Sequence, residues 1–308
     1  MIVNNDGLFF AILLTLKYGY DKIQSINNVR RIRMADYSKL TTESFNDNTA
    51  NIDKMSAIEI AKIINDEDKK VAFAVEQALP QIAEAIETMA NALKAGGHIY
   101  YCGAGTSGRL GVLDAYECLP TYGVSEETIV GLMAGGYEAL YASREFAEDD
   151  FESIVSEMRK RSFDARDVLV AISASGSANC VKGAIRYAKE CGAYTVCVSC
   201  NPNSDLIPTV DIPIIAEVGP EVINGSTRMK AGTAQKMILN MLSTGAMIRY
   251  GRVRGNYMAY MVPSNKKLVD RAIRMICLKT GCDKETAELE LAKANNCIAD
   301  AMDAIEGK

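Results

Sequence analysis

The most chemically suggestive stretch of the sequence is residues 98–123, in which a short apolar run leads into a turn rich in glycine and hydroxyl groups. Glycines with the spacing G-x-G-x-x-G surround Gly105, and Thr106 and Ser107 follow it directly. Glycine lets a backbone approach an anion closely, and the first N–H groups of a helix point at such an anion. The stretch therefore predicts a phosphate-binding turn between a strand and a helix.

Two common phosphate motifs do not fit this turn. A P-loop requires Gly-Lys-Ser/Thr, whereas Gly108 is followed by Arg109. A dinucleotide-binding turn requires an acidic residue at the end of the next strand, and Glu126 and Glu127 instead precede the next apolar run. A compact phosphate is thus favoured over a pyrophosphate, and a tight turn without a ligand remains the structural alternative.

Two further polar segments have the same character. The apolar run 168–172 leads into Ser175, Gly176 and Ser177 before a predicted helix over about 180–190. Ser226 and Thr227 precede a long helical pattern over 231–249 and are in reach of an anion at its start. Because ligands gather at the carboxyl ends of parallel strands, we expect the two strand–loop–helix units to share one site.

The acid–base groups are predicted to be carboxylates. His98 is the only histidine, and it precedes the first strand, so triads and histidine-rich metal sites are disfavoured. No metal or cofactor is expected. Glu117 follows the first turn by about ten residues and is predicted to face the same pocket.

Strands alternating with helices predict an α/β fold with a parallel sheet. The predicted strands span 99–102, 128–133, 168–172, 194–199 and 212–215. Helical patterns begin at 56 and at 71, joined by a charged connection over 66–70, and Pro80 should begin a new helix. Residues 139–154 also have a helical pattern, and three short ones follow at 268–280, 284–294 and 297–305.

The 308 residues divide into four predicted parts. Residues 1–33 do not resemble the rest, and we predict that they are translated upstream sequence and that the functional protein begins at Met34. An arm with helices covers 34–95, the α/β domain 96–262, and a small helical subdomain 263–308. The apolar run over 8–16 is about half the length that spans a bilayer, so no membrane association is expected.

Charge and cysteine usage narrow the function further. The net charge is −5 and no basic stripe is present, which disfavours nucleic-acid binding. Nine scattered cysteines favour reduced thiols in a cytoplasmic protein. Cys197 and Cys200 are interpreted as core residues at the end of a strand, with a redox role as the alternative.

Four segments carry a resemblance to a known family. They are LTTES at 40–44, GAGTSGRLGVLDAYECLPTYG at 103–123, AEDD at 147–150 and the run from VGPEVINGSTRMK onward at 218–248. The chain resembles the SIS (sugar isomerase) phosphosugar-binding fold and, within it, the N-acetylmuramic acid 6-phosphate etherase family. The resemblance implies a three-layer αβα sandwich and a cytoplasmic homodimer with shared active sites. It also implies a carbon–oxygen lyase of peptidoglycan recycling that cleaves a lactyl ether by elimination and hydration, with neither metal nor cofactor.

The resemblance also implies roles for individual residues. Glu117 would be a buried proton donor to the leaving ether oxygen, and Glu148 an ionised base for the proton at C2 of the sugar. Glu145 is a rival for Glu148, and a solvated acidic face is the alternative reading of that segment. The phosphate and sugar would be bound by Gly105, Thr106, Ser107, Ser175, Gly176, Ser177, Ser226 and Thr227.

The sequence departs from the family pattern at two places. Leu119-Pro120 stands where the family has two prolines, and the second loop lacks the usual Arg, Pro and Tyr after Ser175-Gly176. A phosphosugar isomerase and a non-catalytic phosphosugar sensor on the same fold are the alternative functions. Release of D-lactate would distinguish the etherase from both.

Overall fold

A five-stranded parallel sheet organises the structure, a computed structural model that describes residues 40–307 apart from the side chain of Glu145. The strands are β1 (Ile99–Gly103), β2 (Ile129–Met133), β3 (Val168–Ile172), β4 (Tyr194–Ser199) and β5 (Ile212–Ile215). They are ordered β2-β1-β3-β4-β5, with Ile99 of β1 level with Ile129 of β2 and Val168 of β3. The predicted parallel sheet is confirmed.

Nine α-helices are described around and beside the sheet in residues 40–307. They are α1 (Ala57–Glu76), α2 (Leu79–Lys94), α3 (Gly105–Tyr122), α4 (Ser153–Lys160), α5 (Asn179–Glu190), α6 (Lys230–Arg249), α7 (Lys266–Thr280), α8 (Lys284–Lys293) and α9 (Ile298–Glu306). Pro80 lies in the first turn of α2, as expected for a residue that lacks an N–H to donate.

The sheet is covered on both faces because its strands alternate apolar side chains to both sides. Tyr101 and Val170 belong to one cluster with residues of α2, α3 and α6. Tyr100 and Leu169 belong to the opposite cluster, with residues of α4 and α5. This is the predicted three-layer αβα arrangement.

The order of the strands fixes where a ligand can bind. The connection after β1 leads to β2 on one side, and β3 lies on the other side of β1. Helix α3 packs on one face of the sheet and α5 on the other. The loops that follow β1 and β3 therefore diverge at their carboxyl ends, and ligands bind at such a switch point.

Two predicted elements are wrong. Residues 66–70 are not a connection but the middle of α1, where their charges form i,i+3 pairs such as Asp66–Lys69 at 2.8 Å. Residues 139–154 do not form one helix: short 3₁₀ turns occupy Tyr137–Leu140 and Glu145–Ala147, and α4 begins only at Ser153. Arg109 binds the carbonyl oxygens of Ala139 and Leu140 and so takes two acceptors that a helix would use.

A buried ion pair joins α1 to the first residue of α6. The Lys230 ammonium lies 2.7 Å from Glu67, and the two side chains are 1% and 5% exposed. Burial alone would raise the pKa of Glu67, but its bonds to Lys230 and Lys70 outweigh burial and lower that pKa to about 2. This part of the stability is therefore present above the ordinary pKa of a glutamate and is lost as the pH falls toward 2.

We expect Lys230→Met to lower the free energy of unfolding by about 3–5 kcal/mol, because it leaves the buried Glu67 carboxylate with only the solvent-exposed Lys70 as a partner. Urea denaturation at pH 7 measures the change. Lys69→Met, which removes a lysine from an exposed pair on the same helix, is the control and should change stability by less than about 1 kcal/mol. Equal losses from both variants would contradict the argument.

The last three helices form a cluster of their own. Apolar residues of α7, α8 and α9, among them Ile276, Leu291 and Ile298, pack together, and Met261 from the preceding segment joins them. The extents of these helices match the predicted ones within two residues. The predicted domain boundaries at 95 and 262 remain predictions, and residues 1–33 lie outside the described part of the chain.

His98 lies away from the switch point, and the free cysteines Cys197 and Cys200 lie within the core. His98 precedes β1, with its ring nitrogen 3.1 Å from Asp167. Cys197 and Cys200 are both buried, and burial raises the pKa of each thiol to about 12. Among the described residues, no helix is long and apolar enough to cross a membrane, and no group of side chains is suited to hold a metal ion.

Candidate active site

The loop after β1 presents backbone N–H groups at the carboxyl end of the sheet. Gly105 has φ +54°, a left-handed conformation that favours glycine, and it begins α3. A Cβ at Gly108 would lie 2.4 Å from the carbonyl oxygen of Gly103, so only glycine allows the helix to start this close to the strand. Ala104 offers no side-chain cap, so the first N–H groups of α3 remain available to an anion.

The loop after β3 is a compact turn of serines. The Ser175 and Ser177 hydroxyls lie 2.7 Å apart, and the backbone N–H of Gly176 donates to Ser173. Asn201, which is fully buried after β4, donates to the carbonyl oxygen of Ser175 at 3.2 Å. The second loop is therefore held in place by a residue that directly follows the neighbouring strand β4.

A third segment reaches the site from the start of α6. Both carboxylate oxygens of the buried Glu221 accept N–H bonds at 2.9 Å, from Lys230 and Ala231. The carbonyl oxygen of Thr227 accepts the N–H of Gly232. Glu221 thus caps α6 and fixes the turn that carries Thr227.

Glu148 is positioned by the second loop–helix unit although it follows a different strand. Its carbonyl oxygen accepts the Cys180 N–H at 2.9 Å, in the first turn of α5. The carboxyl group is open to solvent, yet surrounding protein raises its pKa by desolvation, and the charge of Asp149 raises it further. A raised pKa makes the Glu148 carboxylate a stronger base than an ordinary glutamate.

These segments line one cleft with two lobes. The first lobe has a volume of about 120 Å³ and lies between the two loops; its polar lining is Thr106, Ser107, Ser173, Ser175, Thr227 and Glu148. The second lobe, about 190 Å³, shares Gly105 and Glu148 with the first and extends to Arg109, Ser143 and Arg144. Hydroxyl groups and free N–H groups surround the first lobe, so it suits a phosphate.

Not every predicted binding residue lines this cleft. Ser177 is hydrogen-bonded to Ser175 but does not itself line the cleft. Gly176 packs against Ser204, and a Cβ at Gly176 would lie 1.7 Å from the Ser204 hydroxyl oxygen. Ser226 lies in the turn before Thr227, with its N–H bonded to Ile223. Gly105, Thr106, Ser107, Ser175 and Thr227 are the predicted residues that do line the lobes.

Glu117 lies elsewhere, so the expectation that it is buried in the same pocket is wrong for the single subunit. It is exposed on α3, twelve residues after the start of that helix, or about 18 Å along its axis. It lines a separate cavity of about 250 Å³ between α3 and α6, beside Lys236. Behind it Asp114 accepts a bond of 2.6 Å from Asn240. The short separation in sequence suggested proximity, but each residue of a helix lies about 1.5 Å further along the axis, so Glu117 is far from the first turn.

Sequence reasoning missed Gln235 and did not include Arg109 among the binding residues, although Arg109 belongs to the predicted phosphate-binding turn. The Ser107 hydroxyl donates to Oε1 of Gln235 at 3.0 Å, and Nε2 of this fully buried amide has no partner among the described residues. Arg109 braces the turn at 139–140 and lines the second lobe. A polar side chain at an inward position of α6 was the available signal for Gln235.

Two known domain families match parts of this chain. Residues 81–189 match the glucokinase regulatory protein N-terminal SIS domain, and residues 152–245 match the SIS domain. A phosphoheptose isomerase structure from Francisella tularensis is 16% identical, with a TM-score of 0.49, covering 62% of this chain and 98% of that chain.

Curated sequences are much more similar. An N-acetylmuramic acid 6-phosphate etherase from Clostridium beijerinckii is 52% identical over 256 residues, covering 83% of this chain and 84% of that protein. One of the same name from Photorhabdus laumondii is 51% identical over 258 residues, covering 84% of this chain and 86% of that protein. The aligned lengths are nearly those of the described residues.

Proposed function

Because this chain belongs to the N-acetylmuramic acid 6-phosphate etherase family, we propose that it cleaves the D-lactyl ether of N-acetylmuramate 6-phosphate. The products are N-acetylglucosamine 6-phosphate and D-lactate, and the reaction serves cell-wall amino-sugar recycling in the cytoplasm. The enzyme is a carbon–oxygen lyase.

One observation carries the proposal: two hydroxyl-bearing loops and a carboxylate with a raised pKa surround one cleft at the switch point of the sheet. In the proposed complex, the free N–H groups of α3 and the hydroxyls of Thr106, Ser175 and Thr227 bind the 6-phosphate. Once the phosphate is bound there, the sugar carbons extend past Glu148, which both lobes share.

The reaction proceeds by elimination and then hydration. Glu148 removes the proton from C2 of the open-chain aldehyde, whose carbonyl group stabilises the negative charge that develops. The C3–O bond to lactate then breaks, the ether oxygen is protonated by an acid, and a double bond forms between C2 and C3. Water adds to C3, and a proton returns to C2.

The acid is Glu117 from a second copy of the chain. Within one subunit Glu117 lies outside the cleft, so a homodimer that shares its active sites must bring it there. An apolar groove of about 610 Å³ between α2 and α6 adjoins the Glu117 cavity, and the two share Lys236 and Asn240. Exposed apolar side chains that line the groove or the Glu117 cavity would be covered in the dimer: Leu79, Leu113 and Ile248.

Incubation of the purified protein with N-acetylmuramate 6-phosphate tests the function directly. D-lactate and N-acetylglucosamine 6-phosphate should appear in equal amounts, measured with D-lactate dehydrogenase and by mass spectrometry. A ketose phosphate without D-lactate would identify an isomerase, and binding without any product would identify a sensor.

Ser107→Ala should weaken binding of N-acetylglucosamine 6-phosphate by about 1.5–3 kcal/mol, because it removes a hydrogen bond to a charged group. A half-turn of the Gln235 amide would place Nε2 on the Ser107 oxygen and free the hydroxyl proton for the phosphate. Calorimetric titration measures the affinity. Ser125→Ala, at an exposed position before β2, is the control and should bind as the wild type does. Unchanged affinity in a folded Ser107→Ala protein would contradict the phosphate assignment.

A further inference from the structure

The second lobe of the cleft has no task in phosphate binding. It begins at Gly105 and Glu148, where the first lobe ends, and leads away from the serines of the second loop. Its volume of about 190 Å³ exceeds that of the first lobe. A substrate bound by its phosphate in the first lobe and reacting at Glu148 would place its leaving group here.

Arg109 gives this lobe a positive charge that is not paired with any described carboxylate in an ion pair. Its Nε and Nη2 atoms donate to the carbonyl oxygens of Leu140 and Ala139 at 3.1 and 2.7 Å, and it forms no ion pair with a described side chain. The two carbonyl bonds hold the guanidinium plane in a fixed orientation. Such a group is suited to a carboxylate because its remaining N–H donors are already oriented.

Arg144 and Ser143 add donors to the lining of the same lobe. Arg144 pairs with Glu138 on the surface and also lines the lobe. Ser143 lies beside it in the same lining. Two arginines and one hydroxyl therefore line a space in which Glu148 is the only acidic residue among the described side chains of the lining.

We infer that the second lobe binds the carboxylate of the lactyl group, with Arg109 as the principal partner and Arg144 as the second. The inference rests on the proposed function, because it takes the ether substrate as given. If the lobe binds this carboxylate, it is the part of the site that selects a phosphosugar with a lactyl ether over one without it. Binding of the carboxylate there would also hold the ether oxygen on the side of Glu148 that is away from the phosphate.

The test compares two ligands in a protein that cannot turn over substrate. Glu148→Gln is the background, and affinities for N-acetylmuramate 6-phosphate and N-acetylglucosamine 6-phosphate are measured by calorimetry. Adding Arg109→Gln should weaken binding of the first ligand about tenfold or more and leave the second within about twofold. Arg144→Gln, at a half-exposed position where folding is not at risk, should produce a smaller loss in the same direction.

Arg166→Gln is the matched control, since it removes the same charge from an exposed pair with Asp164 before β3, at the opposite edge of the sheet. It should change neither affinity. If both arginine variants weaken the two ligands equally, or neither ligand, the lobe does not bind the lactyl carboxylate, although D-lactate release by the wild type would still support the proposed function. If the wild-type protein releases no D-lactate from N-acetylmuramate 6-phosphate, the proposed function fails and the inference fails with it.

Discussion

Glu148→Gln is expected to lower the rate of D-lactate release by about a hundredfold to ten-thousandfold, the range for loss of a general acid–base group. The amide keeps the shape of the side chain but cannot accept the C2 proton. Affinity for N-acetylglucosamine 6-phosphate should stay near that of the wild type, because the phosphate loops are untouched. The loss should therefore be in kcat and not in binding.

The isotope readout separates the two glutamates by step. Wild-type protein in deuterated water should introduce deuterium at C2, and Glu148→Gln should not. Glu117→Gln should also nearly abolish lactate release, yet it should still permit exchange at C2, because Glu148 remains. Desolvation raises the pKa of Glu148. As the pH is lowered, kcat/KM should therefore begin to fall at a higher pH than it would with an ordinary glutamate as the base.

Glu152→Gln is the control for these variants. Glu152 lies in the same acidic segment but pairs with Arg159 on the surface, so its replacement should leave activity close to that of the wild type. Near-normal lactate release by both Glu117→Gln and Glu148→Gln would end the two-glutamate mechanism. What would remain is a phosphosugar-binding cleft without this chemistry.

Mixed dimers of the two inactive variants are expected to regain activity. In a dimer that pairs a Glu117→Gln subunit with a Glu148→Gln subunit, one site combines an intact Glu148 with the partner's intact Glu117. Random pairing makes half of the dimers mixed, and each has one working site, so about 25% of wild-type activity should return. Each variant alone should stay inactive.

The experiment uses two affinity tags and co-expression, with D-lactate release as the readout and light scattering for the oligomeric state. If Glu117 instead acted in the cleft of its own subunit, a mixed dimer would contain no complete site and no activity would return. A fully active monomer at micromolar concentration would likewise contradict the shared site. Replacement of Leu113, an exposed apolar residue beside Glu117, by Asp should weaken the dimer and reduce activity in parallel.

The strands, the loops and the chemistry that they offer follow from local sequence patterns. The five predicted strands match the structure to within one residue at each end because short apolar runs between glycine-rich turns allow few other structures. The parallel order of strands then predicted that Thr106, Ser107 and Ser175 lie at one edge of the sheet, and all three line the cleft. The single histidine directed the search for acid–base groups to carboxylates.

Which side chains lie together in the cleft depends on the tertiary structure. Glu148 belongs to a segment whose helical pattern is overridden, because Arg109 binds the carbonyls of Ala139 and Leu140 and α5 binds the carbonyl of Glu148. Glu117 is carried out of the cleft by the rise of its own helix. Gln235 reaches Ser107 across a sequence separation of 128 residues. Contacts of this kind depend on how helices pack on the sheet, and the local hydrophobic periodicity of the sequence does not specify that packing.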